Sequence, residues 1–231
     1  MAKKKNVKAE VRVEGVEQAL TRAEQFIETY QKQIIWVVSG ILAIVVIYMA
    51  FHRFYIEKKS QEAAAQMFPA EQYFERDDWE RALDGDGNNL GFIDIISDYR
   101  LTRSANLAKY YAGICHLQLG EYEEAIASLS KFKSKDIILS SIALGGMGDA
   151  YAQLNEPDKA INLYRKAAER RSNDFTTPLY LLRAGILLES ENRLREAGQL
   201  YERIKNDYAN STEGRNIDKY ITRVKIKQGG N

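Results

Sequence analysis

Eighteen consecutive uncharged residues, Ile34 to Phe51 (IIWVVSGILAIVVIYMAF), separate a charged stretch of 33 residues from a body in which apolar positions recur every three to four places. At 1.5 Å of rise per residue the run is roughly 27 Å long as a helix, close to the ~30 Å hydrocarbon core of a bilayer. Trp36 near one end and Tyr48 and Tyr55 near the other supply the amphipathic rings that membrane interfaces favour. The pattern therefore predicts a transmembrane helix over 34–54, a tail over 1–33 and a folded body over 55–231. A cleavable signal peptide is not expected, because 33 residues precede the run and Tyr48-Met49-Ala50 lacks the small-x-small cleavage pattern.

Charges beside the run leave its direction open: Arg22 and Lys32 stand on one side, Arg53, Lys58 and Lys59 on the other. The whole tail carries seven Lys and Arg, and short tails respond to charge where long folded domains translocate regardless of it. The expected topology has the tail in the cytoplasm and the body outside. Val16, Leu20, Ala23, Ile27 and Tyr30 recur at helical spacing, so the tail should contain an amphipathic helix at the membrane or on a partner.

Within the body, Gly113-Ile-Cys-His-Leu-Gln-Leu-Gly-Glu-Tyr-Glu-Glu-Ala125-Ile and Gly148-Asp-Ala-Tyr-Ala-Gln-Leu-Asn-Glu-Pro-Asp-Lys-Ala160-Ile align at an offset of 35 residues. Gly185 to Ala197 follows 37 residues later, and a degenerate copy runs from Ala70 through Trp79 to Ala82. This spacing resembles the tetratricopeptide repeat, a pair of helices that buries its apolar face only by stacking on its neighbours. Small Gly113, Gly148 and Gly185 should let the second helix approach the first, meeting Ala125, Ala160 and Ala197. Leu119, Leu154, Trp79, Tyr122 and Leu194 should fill the space beside the turn, with Leu129, Tyr164 and Tyr201 covering the next repeat. Gly120, Asn155 and Asn192 stand where a left-handed residue ends the first helix. The fold class expected is all-α: one N-terminal transmembrane helix followed by a tetratricopeptide-repeat α-solenoid.

From Ala82 to Ala125 the interval is 43 residues, eight too many, and the excess includes Asp84-Gly-Asp-Gly-Asn-Asn89. A calcium loop would need Gly at Asn89 and a bidentate Glu at Ile95, so a turn leading to a helix over Leu90 to Tyr99 is expected. The single cysteine, Cys115, sits in an apolar helical stretch and reads as a packed thiol. His52 lies at the membrane edge and His116 on a packing face, which leaves no metal pair. Acidic residues are spread like solvated helix faces, and no phosphate loop or nucleophile elbow occurs. Neither a catalytic residue nor a cofactor is expected. The body carries 26 Lys and Arg against 27 Asp and Glu, so nucleic acid is not an expected partner. Asn210-Ser-Thr212 has the form of a glycosylation sequon but reads as an ordinary loop.

The lysine-rich start, the single anchor, ALDGDGNNLGFIDII (Ala82 to Ile96), NLAKYYAGICHLQLGEYEEAI (Asn106 to Ile126) and KNDYANSTEGRNIDKYI (Lys205 to Ile221) together resemble the YfgM-type ancillary subunits of the Sec translocon, in a Bacteroidetes-like form. The resemblance implies a bacterial inner-membrane protein with its N-terminus in the cytoplasm and its repeats in the periplasm. It implies association with Sec translocon membrane subunits and with translocating polypeptides or periplasmic chaperones, and no enzymatic activity. An alternative is a scaffold that organises another envelope assembly or secretion complex.

Repeat geometry places the first helix of each pair on the concave face. Tyr110, Ile114, Gln118, Asp149, Gln153, Leu182 and Ile186 are accordingly the candidate protein-binding groove. Their alternative role is packing against neighbouring helices of the same chain.

Overall fold

The computed structural model describes residues 29–33 and 35–229, and every regular element among them is a helix. The chain divides into two compact units, Met1–Glu57 and Lys58–Asn231. In the first, residues 29–33 and 35–51 form helix α1, followed by a π-helical turn at His52–Ile56. Phe51 stacks on Tyr55 with ring centroids 5.1 Å apart, and Arg53 pairs with Glu57 at 2.7 Å. Among the described residues, one helix is long and apolar enough to cross a membrane: its 18-residue window has a mean hydropathy of 2.7, and none of that window is buried. The tail's expected amphipathic helix lies outside the described residues except for Tyr30.

The second unit is built from α2 (Glu57–Phe74), α3 (Trp79–Asp84), α4 (Phe92–Asp98), α5 (Arg103–Leu119), α6 (Tyr122–Lys131), α7 (Ile137–Gln153), α8 (Pro157–Glu169), α9 (Thr176–Ser190), α10 (Leu194–Asp207) and α11 (Asp218–Gly229). Helix pairs α5/α6, α7/α8 and α9/α10 are the three strong repeats. The degenerate copy is α2/α3, and α11 stands as a first helix after the last pair.

All four pairs turn in the same way. Gly120, Asn155 and Asn192 have φ of 81, 59 and 57°, and Asp77 joins them at 57°. In each turn the left-handed residue donates to a carbonyl three residues back, and the next residue to one five back: Glu121 to His116 at 2.9 Å, Glu156 to Tyr151 at 2.9 Å, Arg193 to Leu188 at 2.8 Å and Asp78 to Tyr73 at 3.0 Å. These Schellman bonds satisfy carbonyls that the helix end would otherwise leave open. Two first helices, α5 and α7, begin at polar caps: Thr102 Oγ1 accepts from the Ala105 N–H at 3.1 Å and Asp136 from the Leu139 N–H at 2.9 Å.

Each repeat glycine receives a side chain from its own second helix. A Cβ on Gly113 would lie 2.5 Å from Leu129 Cγ, on Gly148 2.7 Å from Tyr164 Cε1, and on Gly185 2.3 Å from Tyr201 Cε1. Ala82, Ala125, Ala160 and Ala197 are all fully buried. Leu129, Tyr164 and Tyr201 therefore do more than cover the next repeat. They fill the notch in their own pair, and the two tyrosines then face the following helix, Tyr164 stacking on Tyr180 at 6.3 Å and Tyr201 meeting Tyr220 at a tilt of 45° with centroids 5.4 Å apart.

The eight-residue excess breaks the second helix of the first pair. Asp86 gathers the N–H groups of Asn88 and Asn89 at 2.8 and 2.6 Å, the Asn89 amide at 2.9 Å and the Tyr73 hydroxyl at 2.7 Å. That saturated turn holds its carboxyl well below the usual carboxylate range, with the Tyr73 hydrogen bond the largest cause. Helix α4 begins at Phe92, two residues later than expected, because Leu90 and Gly91 form the lead-in.

Buried side chains form two clusters. One joins α2, α3, α4 and α5, and the other joins α8, α9, α10 and α11. Between them α7 buries only small groups: Ser140, Ser141, Ala143, Gly145, Gly146, Gly148 and Ala150.

Candidate functional site

Helices α5, α7 and α9 carry the seven candidate groove residues at spacings of four, which keeps each set on one helix face. Tyr110 is half-buried, with its ring 5.5 Å from Tyr111 and 5.4 Å from Phe132. Ile114 is half-buried, and its Cδ1 lies 3.6 Å from where a Cβ on Gly146 would stand. Leu182 is half-buried against the α8–α11 cluster. Gln118 and Gln153 are exposed, and Ile186 is 42% exposed. The set thus includes side chains engaged within the stack and side chains open to solvent.

Asp149 connects two first helices. It accepts the Tyr164 hydroxyl at 2.8 Å and pairs with Arg183 of α9 at 2.5 Å. The Arg183 guanidinium also lies 5.7 Å from the Tyr180 ring centroid. Burial pushes the Tyr164 hydroxyl far up its scale, and the Asp149 charge adds to the shift, so the phenol is a fixed donor at any physiological pH. Arg183 has no repeat signature in the sequence. It is recognisable only once α7 and α9 are known to lie side by side.

One acidic residue departs from the solvated-face expectation. Glu189 is 6% exposed and accepts Arg223 Nε and Nη2, both at 2.7 Å, Lys227 Nζ at 2.9 Å and the Tyr201 hydroxyl at 3.3 Å. Burial pushes its carboxyl upward, but Arg223 and Lys227 outweigh that and hold it below the ordinary value. Its role is to fasten α11 onto α9 and α10. Convergent charge here is structural, since all four donors belong to the same chain.

Cys115 is fully buried, and desolvation pushes its thiol up to about 12, which removes it from nucleophilic chemistry near neutrality. His116 Nδ1 lies 2.6 Å from Glu121 Oε2. Among the described residues, no group of three or more His, Cys, Asp or Glu is placed to hold a metal ion. Ser211 of the sequon is buried in a turn, accepting the Gly214 N–H at 2.9 Å and donating to the Tyr208 carbonyl at 2.8 Å. The seven candidates thus offer amides, apolar side chains and, at Asp149, an ion pair along a row of helices.

The tetratricopeptide repeat family model matches residues 94–136 and 146–211. No curated protein matches the chain. Tetratricopeptide repeats are therefore present over α4 to α10, and the α2/α3 pair extends the same turn geometry beyond the matched residues. Such repeats make a protein–protein interaction scaffold, and no catalytic family is indicated.

Proposed function

We propose that this chain is a single-pass protein of the bacterial inner membrane whose periplasmic repeat stack is a non-catalytic docking surface at the Sec export channel. The observation that carries the reading is the pairing of a repeat stack with an apolar helix whose spanning window has no buried residue. An unburied helix of mean hydropathy 2.7 needs lipid or protein around it, which disfavours a soluble core helix. The Sec channel itself is supported by the resemblance of Ala82 to Ile96, Asn106 to Ile126 and Lys205 to Ile221 to the YfgM-type subunits. Client polypeptides or periplasmic chaperones would use the exposed side chains of the first helices, with Gln118 and Gln153 offering amides and Ile186 apolar surface.

Purification from native membranes in mild detergent, with identification of co-purifying chains, tests the proposal. Recovery of channel subunits in near-equal amount is the expected result. Their absence, with a different envelope complex recovered, moves the assignment to a scaffold for that complex. Replacing residues 34–54 by an unrelated apolar helix separates the two further, since channel association should be lost and simple tethering retained. Protease accessibility in spheroplasts checks the topology, and repeats digested only from the cytoplasmic side would overturn it.

A further inference from the structure

We propose that the edge of the repeat stack formed by the loops entering α5, α7 and α9 is a contact surface for anionic phospholipid. This inference rests on the membrane-anchored reading. The three loops are bound side by side. The Tyr99 hydroxyl donates to Glu62 on α2 at 2.8 Å, and Lys59 Nζ lies 5.0 Å from the Tyr99 ring centroid. Asn106 Nδ2 donates to the Lys133 carbonyl at 2.7 Å, and Arg170 Nη2 to the Ser134 carbonyl at 3.2 Å. The contacts of Lys59 and Glu62 with Tyr99 place the N-terminal part of α2 at this same edge. Lys59 of this edge follows the apolar run by eight residues in sequence.

Each entry presents one large apolar side chain to solvent, Leu101 and Phe175 from the loops and Ile138 from the first turn of α7. Leu101 is 60% exposed, Ile138 46% and Phe175 64%. Around them Arg100, Arg103, Lys131, Lys133, Lys135 and Arg171 are exposed, and among the described residues none of these side chains is held in an ion pair. Counting the stretches 98–103, 131–138 and 169–175, seven basic residues face four acidic ones. The opposite edge, made by the turns at 75–81, 120–124, 155–159 and 190–196, has eleven acidic residues and five basic. Apolar side chains set among unpaired cations are what an anionic interface selects: the cations find phosphate, and the apolar groups enter the headgroup boundary. The acidic edge is repelled by the same surface. The fourth loop, at 208–217, carries no large exposed apolar side chain, so the strip is confined to the three loops closest in sequence to the apolar run.

The test uses the full chain reconstituted in phosphatidylcholine vesicles, with or without phosphatidylglycerol, whose acyl chains are brominated to quench tryptophan. The chain has two tryptophans, Trp36 and Trp79. With Trp79→Phe alone, Trp36 reports the anchor. With both replaced by Phe, Leu101→Trp or Phe175→Trp reports the edge and Glu191→Trp the opposite one. The expected result is that brominated, phosphatidylglycerol-containing vesicles lower the emission of both edge reporters about twofold and leave the Glu191→Trp emission unchanged. Salt on the order of 1 M, where the Debye length is about 3 Å, should weaken that quenching. Edge reporters quenched no more than Glu191→Trp, with Trp36 quenched, would overturn the lipid edge and leave the anchor intact. A blue shift of the edge reporters without quenching shows that protein covers them, and likewise overturns it. An unquenched Trp36 overturns the anchored reading and this inference with it.

Discussion

Replacing Gly185 by alanine tests the central packing rule of the stack. The new Cβ would stand 2.3 Å from Tyr201 Cε1, well inside contact distance. Tyr201 cannot step aside: it is fully buried, its hydroxyl is held by Glu189 at 3.3 Å, and its ring lies 5.4 Å from Tyr220. Overpacking a rigid site costs about 1–3 kcal/mol, and the closeness of the contact puts this one near 3. Alanine recovers about 1 kcal/mol of helix propensity, which leaves a net loss of about 2 kcal/mol. For a body of this size the melting temperature should fall by roughly 4–8 °C. Gly198→Ala supplies the opposite sign, because its Cβ would meet only Val224 Cγ1 at 3.7 Å. There the propensity gain stands alone, raising the melting temperature by roughly 2–4 °C. Thermal unfolding followed by near-ultraviolet circular dichroism, with amide exchange across α9 and α10 as a local readout, measures both. A Gly185→Ala protein as stable as the parent would refute the close-approach account.

Glu189→Gln should destabilise α11 docking by about 1–2 kcal/mol, a buried-pair loss discounted because Arg223 and Lys227 are half exposed. Because the folded Glu189 carboxyl is held below its unfolded value, its stabilisation is complete above the ordinary carboxylate pKa and fades as pH falls through the depressed value. The Gln variant should therefore show a flatter loss of stability on acidification, checked by melts across the acid range. Cys115 should resist iodoacetamide in the native protein near neutrality and react fully in denaturant, as mass spectrometry will report. Native labelling at the denatured rate would contradict a buried thiol. Ile186→Asp should weaken client capture in crosslinking experiments without lowering the melting temperature, since Ile186 is 42% exposed; unchanged capture would remove it from the groove.

The helix pairs were legible because their determinants are periodic. Gly113, Gly148 and Gly185 mark the notches, and Gly120, Asn155 and Asn192 mark the left-handed turns, whichever side chains surround them. Asp77 was harder to see, because its copy is degenerate and an aspartate in that place resembles any loop residue. The broken second helix of the first pair showed only as excess length, while its cause, the closure of Asp86 on Asn88, Asn89 and Tyr73, depends on three-dimensional donors. The pairs Asp149–Arg183 and Glu189–Arg223 span 34 residues each, and charges on amphipathic helices look alike in one dimension. Only the stacking of first helix on first helix brings them together. For the groove, the pattern gives the face of each helix but not the depth of each side chain, so Tyr110 and Ile186 carry the same sequence signal despite different surroundings.

Helix α7 has an unusual position in the stack, since its buried face is almost all backbone. Three glycines cost it about 3 kcal/mol of helix propensity relative to alanine, and the Ser141 hydroxyl is buried without a partner. What holds α7 is borrowed from its neighbours, with Leu129, Tyr164 and Tyr180 lying over Gly146, Gly148 and Gly145. Under mechanical load the stack should then yield first at α7: once α8 peels away, its glycine face loses Tyr164, and the Asp149–Arg183 pair is left to tie it to α9. Pulled from its two ends in an optical trap, the stack should part into two blocks of unequal length, not unzip from a terminus; a single all-or-none rip would argue that α7 is held as strongly as the rest.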